Sequence, residues 1–313
     1  MAIALVSTKD LDRHLWLQYR KEGIGGSDVS GILGMNKHKS PFSVYMDKIG
    51  EAQDEDQMSE AAYFGNVFEE AVAQEFSKRT GLAVRRRNAI LQHEEYPFML
   101  ANVDRLIVGQ KVGLECKTAS EYLKDEWTGE DVPISYLLQC QHYMAVTDYE
   151  AWWIAVLIGG NKFVYKRIER DDDIINHLIQ AESSFWNNHV IPKVPPLLDG
   201  SEASTNFLKQ LYPEARPDTQ TDLPYEAVQL LEQLELAKKD EKEIKERVIE
   251  LENRLKEMLG NYEIGRVKNY MVIWKNVFSD RPDTKALAAD HPELYEKYLK
   301  TSVYRRFSIK KAN

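Results

Sequence analysis

The sequence predicts an α/β fold in which a mixed central sheet is flanked by helices, with a C-terminal helix-plus-hairpin extension. Three observations predict it. Strand-like and helix-like segments alternate between about residues 59 and 189. The run from Trp152 to Ile158 is continuously apolar, as in a strand covered on both faces. Six prolines between 192 and 224 (Pro192, Pro195, Pro196, Pro213, Pro217, Pro224) then separate this region from a long charged helical segment.

Taken in order, residues 8–50 read as helical with a glycine-rich interruption at Gly23-Ile24-Gly25-Gly26-Ser27-Asp28. Ser40-Pro41 starts a further helix, serine capping it and proline suiting its first turn, and Gly50 ends it. A helix over about 59–79 stops before Gly81, with Phe68, Val72 and Phe76 as its buried stripe. Strands are expected at 83–91, 98–108 and 113–118, the last two joined by the Gly109 to Gly113 turn. A helix opened by Pro133 runs to about Thr147. The strands Trp152–Ile158 and 162–168 follow, joined at Gly159-Gly160-Asn161, then a helix near 171–189. These boundaries give a first domain over 1–195, a connector over 196–224 and an extension over 225–313. In the extension a helix at 225–259 carries a short heptad seam (Ile244, Val248, Leu251, Leu255, Met258), too brief alone to establish a coiled coil, so packing back onto the domain is the expected arrangement. A hairpin at 262–278, a helix at 284–300 and a terminal strand at 302–310 complete the reading.

At 313 residues, 43% hydrophobic and 29% charged, the chain can bury a substantial core. No apolar run approaches the roughly 18 residues of a membrane span, so no membrane association is expected. Nor does the start resemble a signal peptide. Two cysteines, Cys116 and Cys140, exclude a disulfide framework and a four-thiolate metal site, so a cytoplasmic setting is expected. The net charge of −9 argues against a protein that coats nucleic acid by bulk charge, but is compatible with a local basic groove. Arg85-Arg86-Arg87 reads equally well as part of such a groove or as a solvated basic cluster.

Glu115 and Lys117 stand two apart on an expected strand, so both side chains share a face while Cys116 points away. Asp104, on the preceding strand, would arrive beside Glu115. Two converging carboxylates offer an oxygen site for Mg²⁺, with the Cys116 backbone carbonyl as a further ligand. A lysine beside them can orient an attacking water and stabilise charge on a phosphoryl transition state. Acid followed by Glu-X-Lys is common on exposed strands, so the surrounding residues decide the reading. Glu69 lies on the edge of its helix's buried stripe and is a candidate outer ligand through water, or an ordinary boundary glutamate. Gln139 and Tyr143, at i and i+4, share a helix face and can contact phosphate or the attacking water, or simply pack. His142 between them is read as structural. Arg20 and Ser27 flank the glycine-rich turn, where a guanidinium, a hydroxyl and free amides suit a phosphate.

Together these segments resemble the YqaJ-type viral recombinase nucleases, relatives of phage lambda exonuclease in the PD-(D/E)XK superfamily. The resemblance spans about residues 12–190. It rests on Arg20 to Gly34 (RKEGIGGSDVSGILG), Ser40-Pro41-Phe42, Gly65 to Glu69 (GNVFE), Asn102-Val103-Asp104, Leu114 to Lys117 (LECK) and Leu138 to Tyr143 (LQCQHY), in the family's order. It implies a restriction-endonuclease-like fold and a Mg²⁺- or Mn²⁺-dependent exonuclease. Such an enzyme would degrade the 5′ strand of linear double-stranded DNA, leaving a 3′ overhang for a single-strand annealing protein of the RecT or phage beta type. It also implies a homo-oligomer, a trimer by preference, in a phage or prophage recombination module. Carried over by position, Asp104 and Glu115 match metal ligands, Lys117 the catalytic lysine, Glu69 the helix carboxylate and Gln139 the active-site glutamine. Arg20 and Ser27 match the pair that holds the 5′ phosphate. Val103 replaces the proline of the superfamily name, and Arg86 lies near where lambda exonuclease carries another acid. Tyr304-Arg305-Arg306-Phe307 resembles the ending of longer YqaJ-type proteins. An endonuclease with the same site, and a DNA-end-binding protein that does not cut, are the competing readings.

Overall fold

The computed structural model describes residues 2–51, 59–280, 282–300, 304 and 309. It divides into two units, Met1–Pro213 and Glu214–Asn313.

The first unit opens with β1 (Ile3–Ser7), α1 (Arg13–Lys21), β2 (Ile24–Gly25), α2 (Gly26–Ile32) and α3 (Pro41–Lys48). The long helix α4 (Glu60–Thr80) follows, capped by Ser59 and stopped by Gly81 in the left-handed conformation. Then come β3 (Val84–Arg86), β4 (Ala89–Gln92), β5 (Met99–Asn102), β6 (Arg105–Ile107) and β7 (Val112–Ala119). The crossover helix α5 (Ile134–Thr147) leads to β8 (Ala151–Ile158), β9 (Lys162–Glu169), α6 (Asp172–Phe185) and α7 (Glu202–Leu211).

The central sheet has the order β3-β6-β7-β8-β9. Only its β7–β8 pair is parallel, because the chain between those strands crosses over through α5, whereas β8 and β9 are joined by a tight turn. The apolar sequence of β8 agrees with its place: Ile154, Ala155, Val156 and Ile158 are fully buried, between α4 on one face and α5 on the other. On the α4 face, Val72, Ala73 and Phe76 pack against Leu114 and Ala155. On the α5 face, Cys140, Tyr143 and Met144 pack against Trp152 and Val156. Gly113 permits this layering, since a Cβ there would lie 2.2 Å from the Trp152 ring. Burying one such large apolar side chain is worth roughly 1.5–3 kcal/mol.

The mixed sheet and flanking helices agree with the sequence reading. Two expected strands are broken, however. The expected strand at 83–91 becomes β3 and β4, and that at 98–108 becomes β5 and β6. Of these, β4 and β5 belong to a second sheet, β1-β4-β5-β2. The chain turns this corner twice, at Arg87-Asn88 and at Val103-Asp104, where ladder pairing lapses. At Val103-Asp104 an apolar pattern cannot reveal the corner, because the pieces on both sides are largely buried. The strand β1, ahead of the expected helical segment at 8–50, also escaped prediction; it is held by pairing with β4. Phe68 does not belong to the buried stripe of α4: it is exposed and stacks on Phe64. The expected connector contains α7, whose Phe207 packs edge-on against Phe42 of α3.

The second unit contains α8 (Glu226–Leu259), an antiparallel hairpin of β10 (Ile264–Val267) and β11 (Tyr270–Ile273), α9 (Thr284–Asp290) and α10 (Pro292–Lys297). The expected terminal strand at 302–310 falls largely outside the described residues.

Candidate active site

Asp104 occupies the bend between β5 and β6, not a strand, and that bend turns its carboxylate toward β7. Its Oδ2 accepts the backbone N–H of Cys116 at 2.8 Å. In an extended strand, a residue's N–H and C=O point to the same edge, so the Cys116 carbonyl also lies on the Asp104 side of β7. Glu115 and Lys117 share the face of β7 that looks at α5, while Cys116 packs with the α4 cluster, as the strand alternation predicts.

Glu115 is 3% exposed and its two oxygens differ. Oε1 takes Lys117 Nζ at 2.6 Å and Gln139 Nε2 at 2.8 Å. Oε2 is buried with no hydrogen-bond partner. A buried carboxylate oxygen is costly unless something electropositive meets it. Burial, then the charge of Glu115, raises the Asp104 pKa well above its ordinary value. Burial alone would push Lys117 down, but Glu115 and Asp104 outweigh it and hold its pKa above the usual lysine range. Burial likewise raises the Cys116 thiol, whose side chain packs with the α4 cluster on the face away from Glu115.

A divalent cation fits this donor set. Two adjacent carboxylates, one orphaned carboxylate oxygen and a backbone carbonyl on the same edge form a hard-oxygen site of the kind Mg²⁺ or Mn²⁺ takes. Among the described residues no cluster of three His, Cys, Asp or Glu side chains converges, so the protein would supply two carboxylates and the Cys116 carbonyl, and water the remainder.

Glu69 sits close enough for its charge to act on Asp104, but Arg105 engages it directly. The helix α4 covers the face of the sheet opposite Glu115. Arg105, pointing to that face from β6, also binds Glu70 Oε2 at 2.9 Å and the Asp104 carbonyl at 2.8 Å. Arg86 reaches the same Glu70 oxygen at 2.6 Å, so this member of the basic run takes part in an ion-pair network. Tyr143 differs from expectation: it is buried, and its hydroxyl accepts from Gln139 Nε2 at 2.9 Å and donates to the Asn102 carbonyl at 3.3 Å. It therefore supports Gln139 and does not reach a phosphate. The reverse amide orientation of Gln139 would set its oxygen against the Glu115 carboxylate, so the carboxylate fixes which way it points.

Arg20 and Ser27 are brought together, with Arg20 Nη2 donating to Ser27 Oγ at 3.3 Å and the guanidinium lying over the Trp16 ring at 4.7 Å. Gly26 makes this possible, since a Cβ there would meet Tyr143 at 2.7 Å; its absence lets α2 approach α5. Ser27, Lys117 and Gln139 line one cleft of about 530 Å³, together with Lys37, Lys39 and Tyr136. His142 is structural as expected: its ring nitrogens meet Glu182 Oε1 and the Leu100 carbonyl, each at 2.9 Å.

Two organising residues escaped the sequence reading. Asp28 is 1% exposed and binds Lys48 at 2.7 Å, Lys39 at 2.8 Å and the Gly25 amide at 3.1 Å. Burial acts to raise its pKa, but Lys39, Lys48 and Arg20 overcome this and hold it well below the usual value. Its signal was an acid directly after Ser27 at a helix start. Arg105 is the other; its signal was a charge in an otherwise apolar short strand beside Asp104.

Comparison with known proteins places this geometry in a family. The YqaJ-like viral recombinase domain matches residues 15–150, a span that contains every candidate site residue above. A Bacillus subtilis (strain 168) protein named "Uncharacterized protein YqaJ" is 46% identical over 314 aligned positions, covering 100% of this chain and 98% of that one. The chain belongs to the YqaJ family. Looser likenesses are found among solved structures. An alkaline exonuclease from Laribacter hongkongensis has 18% identity over 58% of this chain and 94% of its own, with a TM-score of 0.48. A phage-related exonuclease from Haemophilus somnus 129PT has 14% identity over 57% and 99%, with a TM-score of 0.41.

Proposed function

We propose that the protein is a metal-dependent DNA exonuclease acting 5′-to-3′ on linear double-stranded DNA. The observation that carries this reading is the orphaned, buried Glu115 Oε2 beside Asp104, with Lys117 on the other Glu115 oxygen. Asp104, Glu115 and the Cys116 carbonyl would hold Mg²⁺ or Mn²⁺, which in such a site polarises the scissile phosphate and makes water nucleophilic near neutral pH. Against the effect of burial, Glu115 and Asp104 raise the Lys117 pKa, which suits this lysine to donate to a phosphate oxygen or to the attacking water. Gln139 spends both amide hydrogens on Glu115 and Tyr143, leaving its Oε1 to orient water in the cleft. Glu69 contributes through water or through its charge on Asp104. Ser27, which lines the same cleft, and Arg20, which donates to its hydroxyl, suit a terminal 5′ phosphate.

The resulting 3′ overhang would serve a single-strand annealing protein, in the cytoplasm of a bacterial host and as a homo-oligomer, a trimer by preference. Among the described residues no helix is long and apolar enough to cross a membrane. One time course tests the central reading: end-labelled linear duplex and closed circular duplex, each with Mg²⁺, Mn²⁺ or chelator. Loss of the 5′ label from linear DNA only, and only with metal, is expected. Cutting of the circle would favour an endonuclease, and no cutting under any condition a DNA-end-binding protein. Unphosphorylated ends should be digested more slowly, and Arg20→Ala should erase that difference.

A further inference from the structure

The second unit has almost no interior of its own. Among its described residues, Leu259 is the sole buried hydrophobic side chain, although the hairpin and α8 are rich in apolar residues. At about 1.5 Å per residue, the 34-residue α8 is roughly 51 Å long. Its observed limits lengthen the heptad seam. The positions Ile244, Val248, Leu251, Leu255 and Met258 continue toward the N-terminus at Ala237, Leu234, Leu230 and Ala227, all at spacings of three or four. Glu241 alone interrupts the series, and its charge is met one turn on by Lys245 at 2.7 Å. A seam of this length exceeds the three to four heptads that distinguish a coiled coil from an ordinary amphipathic helix. Apart from the half-buried Leu234, its larger side chains lie open, from 46% exposed at Leu255 to 78% at Met258.

The flanking charges say what covers it. With Leu234, Val248 and Leu255 as a positions, Asp240 and Arg247 fall at g, and Lys245 and Glu252 at e. In a parallel coiled coil, each g residue faces the e residue five positions later on the neighbouring strand. Asp240 then meets Lys245, and Arg247 meets Glu252, in both directions across the seam; no g–e pair sets like charges together. Antiparallel strands aligned over the same seam would set Lys245 against Lys238 of the other strand, a like-charge contact. Between parallel strands Glu241, at an a position, faces its own counterpart, a local cost to stability. Lys245 offsets that cost at 2.7 Å, and the four opposite-charge g–e contacts outweigh it. We propose that α8 is a self-association helix, pairing in parallel with α8 of another copy of this chain.

The test uses the full-length protein and reads its mass by sedimentation or light scattering across micromolar concentrations. Val248→Glu with Leu251→Glu should lower the assembly state, and Val248→Ile should keep it. Arg247→Glu and Glu252→Arg should each weaken association at least tenfold, whereas the two together should restore it, because the swap re-forms opposite pairs only between parallel strands. Met258→Cys should form an inter-chain disulfide on mild oxidation, since parallel pairing brings that position against itself. A monomeric wild type, an unchanged mass in the double glutamate variant, failure of the charge swap to restore, or no cross-link at 258 would overturn the proposal. None of these residues belongs to the cleft, so DNA digestion by the same variants reports separately on the nuclease reading.

Discussion

Gln139 donates from Nε2 to Glu115 Oε1 at 2.8 Å, joining the crossover helix α5 to the strand that carries both Glu115 and Lys117. A neutral amide is required there. Lys117 already shares the same oxygen, and a second acid would face the buried Glu115 carboxylate without a proton between them.

Gln139→Glu is therefore expected to reduce cleavage more than Gln139→Leu, because the first adds a like charge and the second removes only a donor. Losing one positioned donor in a charge-stabilising site typically costs about 10²–10³ in rate. Turnover of linear duplex by both variants, with folding checked by circular dichroism, decides it. Equal activity of wild type and Gln139→Leu would remove Gln139 from the working site.

Asp104 is expected to make the metal-free protein less stable. Its pKa is raised in the folded state, first by burial and then by Glu115, so folding favours the protonated form. Above the unfolded carboxylate pKa of about 3.9, ionisation penalises the folded state. This penalty grows until pH passes the folded pKa and is complete above it. Asp104→Asn should abolish cleavage yet raise the melting temperature in chelator at neutral pH. The rise would be about 2–4 °C for each kcal/mol relieved. Mg²⁺ should then stabilise wild type and leave the variant unmoved, and a variant that melts lower in chelator would contradict this account.

Arg105 holds two carboxylates of α4 and the carbonyl of Asp104 from a position 3% exposed. Arg105→Ala should destabilise by about 2–3 kcal/mol. That is less than the 3–5 kcal/mol of a fully buried broken pair, because the Glu69 and Glu70 side chains are 29% and 49% exposed and can take up water. Arg105→Lys should recover only part of the loss, since an ammonium cannot reproduce the fork that spans both glutamates. Urea unfolding of the three proteins measures this, and full recovery by lysine would mean that charge alone matters.

The legibility of the site followed the period of the backbone. Glu115, Cys116 and Lys117 were placed correctly because strand alternation is strict, and Gln139 with Tyr143 because i and i+4 share a helix face. The β7-α5-β8 centre was legible for the same reason. What failed was tertiary. Strand pieces on either side of Val103-Asp104 join different sheets, and both are apolar, so the corner that aims Asp104 leaves no mark in hydropathy. The exposure of Phe68 failed likewise: spacing identifies a stripe but not where the neighbouring sheet ends. The burial of Tyr143 followed from the close approach of α2 at Gly26, a contact between segments more than a hundred residues apart. Asp28 and Arg105 were missed because a charge enters the interior only where several partners meet it, and their local signals, an acid at a helix start and a charge in a short apolar strand, do not identify those partners.

Asp28 makes this dependence measurable against pH. Its carboxylate meets Lys48, a side chain with no exposure, and Lys39, so the charged form is held well below the ordinary pKa despite burial. A group with a depressed folded pKa contributes stability that is full above its unfolded value of about 3.9. That contribution is lost as pH falls through the folded value. Asp28→Asn leaves the buried Lys48 ammonium with only Asp47, at 3.4 Å, as a counter-charge, at a cost of about 2–3 kcal/mol near neutrality, less than the roughly 3–5 kcal/mol of a fully broken buried pair. The stability gap between wild type and variant should hold constant from pH 7 down to about 4 and close below it, as wild type surrenders the same charge. Because Asp28 also accepts the Gly25 amide and Lys48 donates to the Arg20 carbonyl at 3.0 Å, the variant should also loosen the turn that presents Ser27. Discrimination between phosphorylated and unphosphorylated ends should then fall more than turnover does. Chemical denaturation from pH 3 to 7, paired with digestion of both end types, tests the two halves. A gap that persists unchanged at pH 3 would show that the ion pair is not its source.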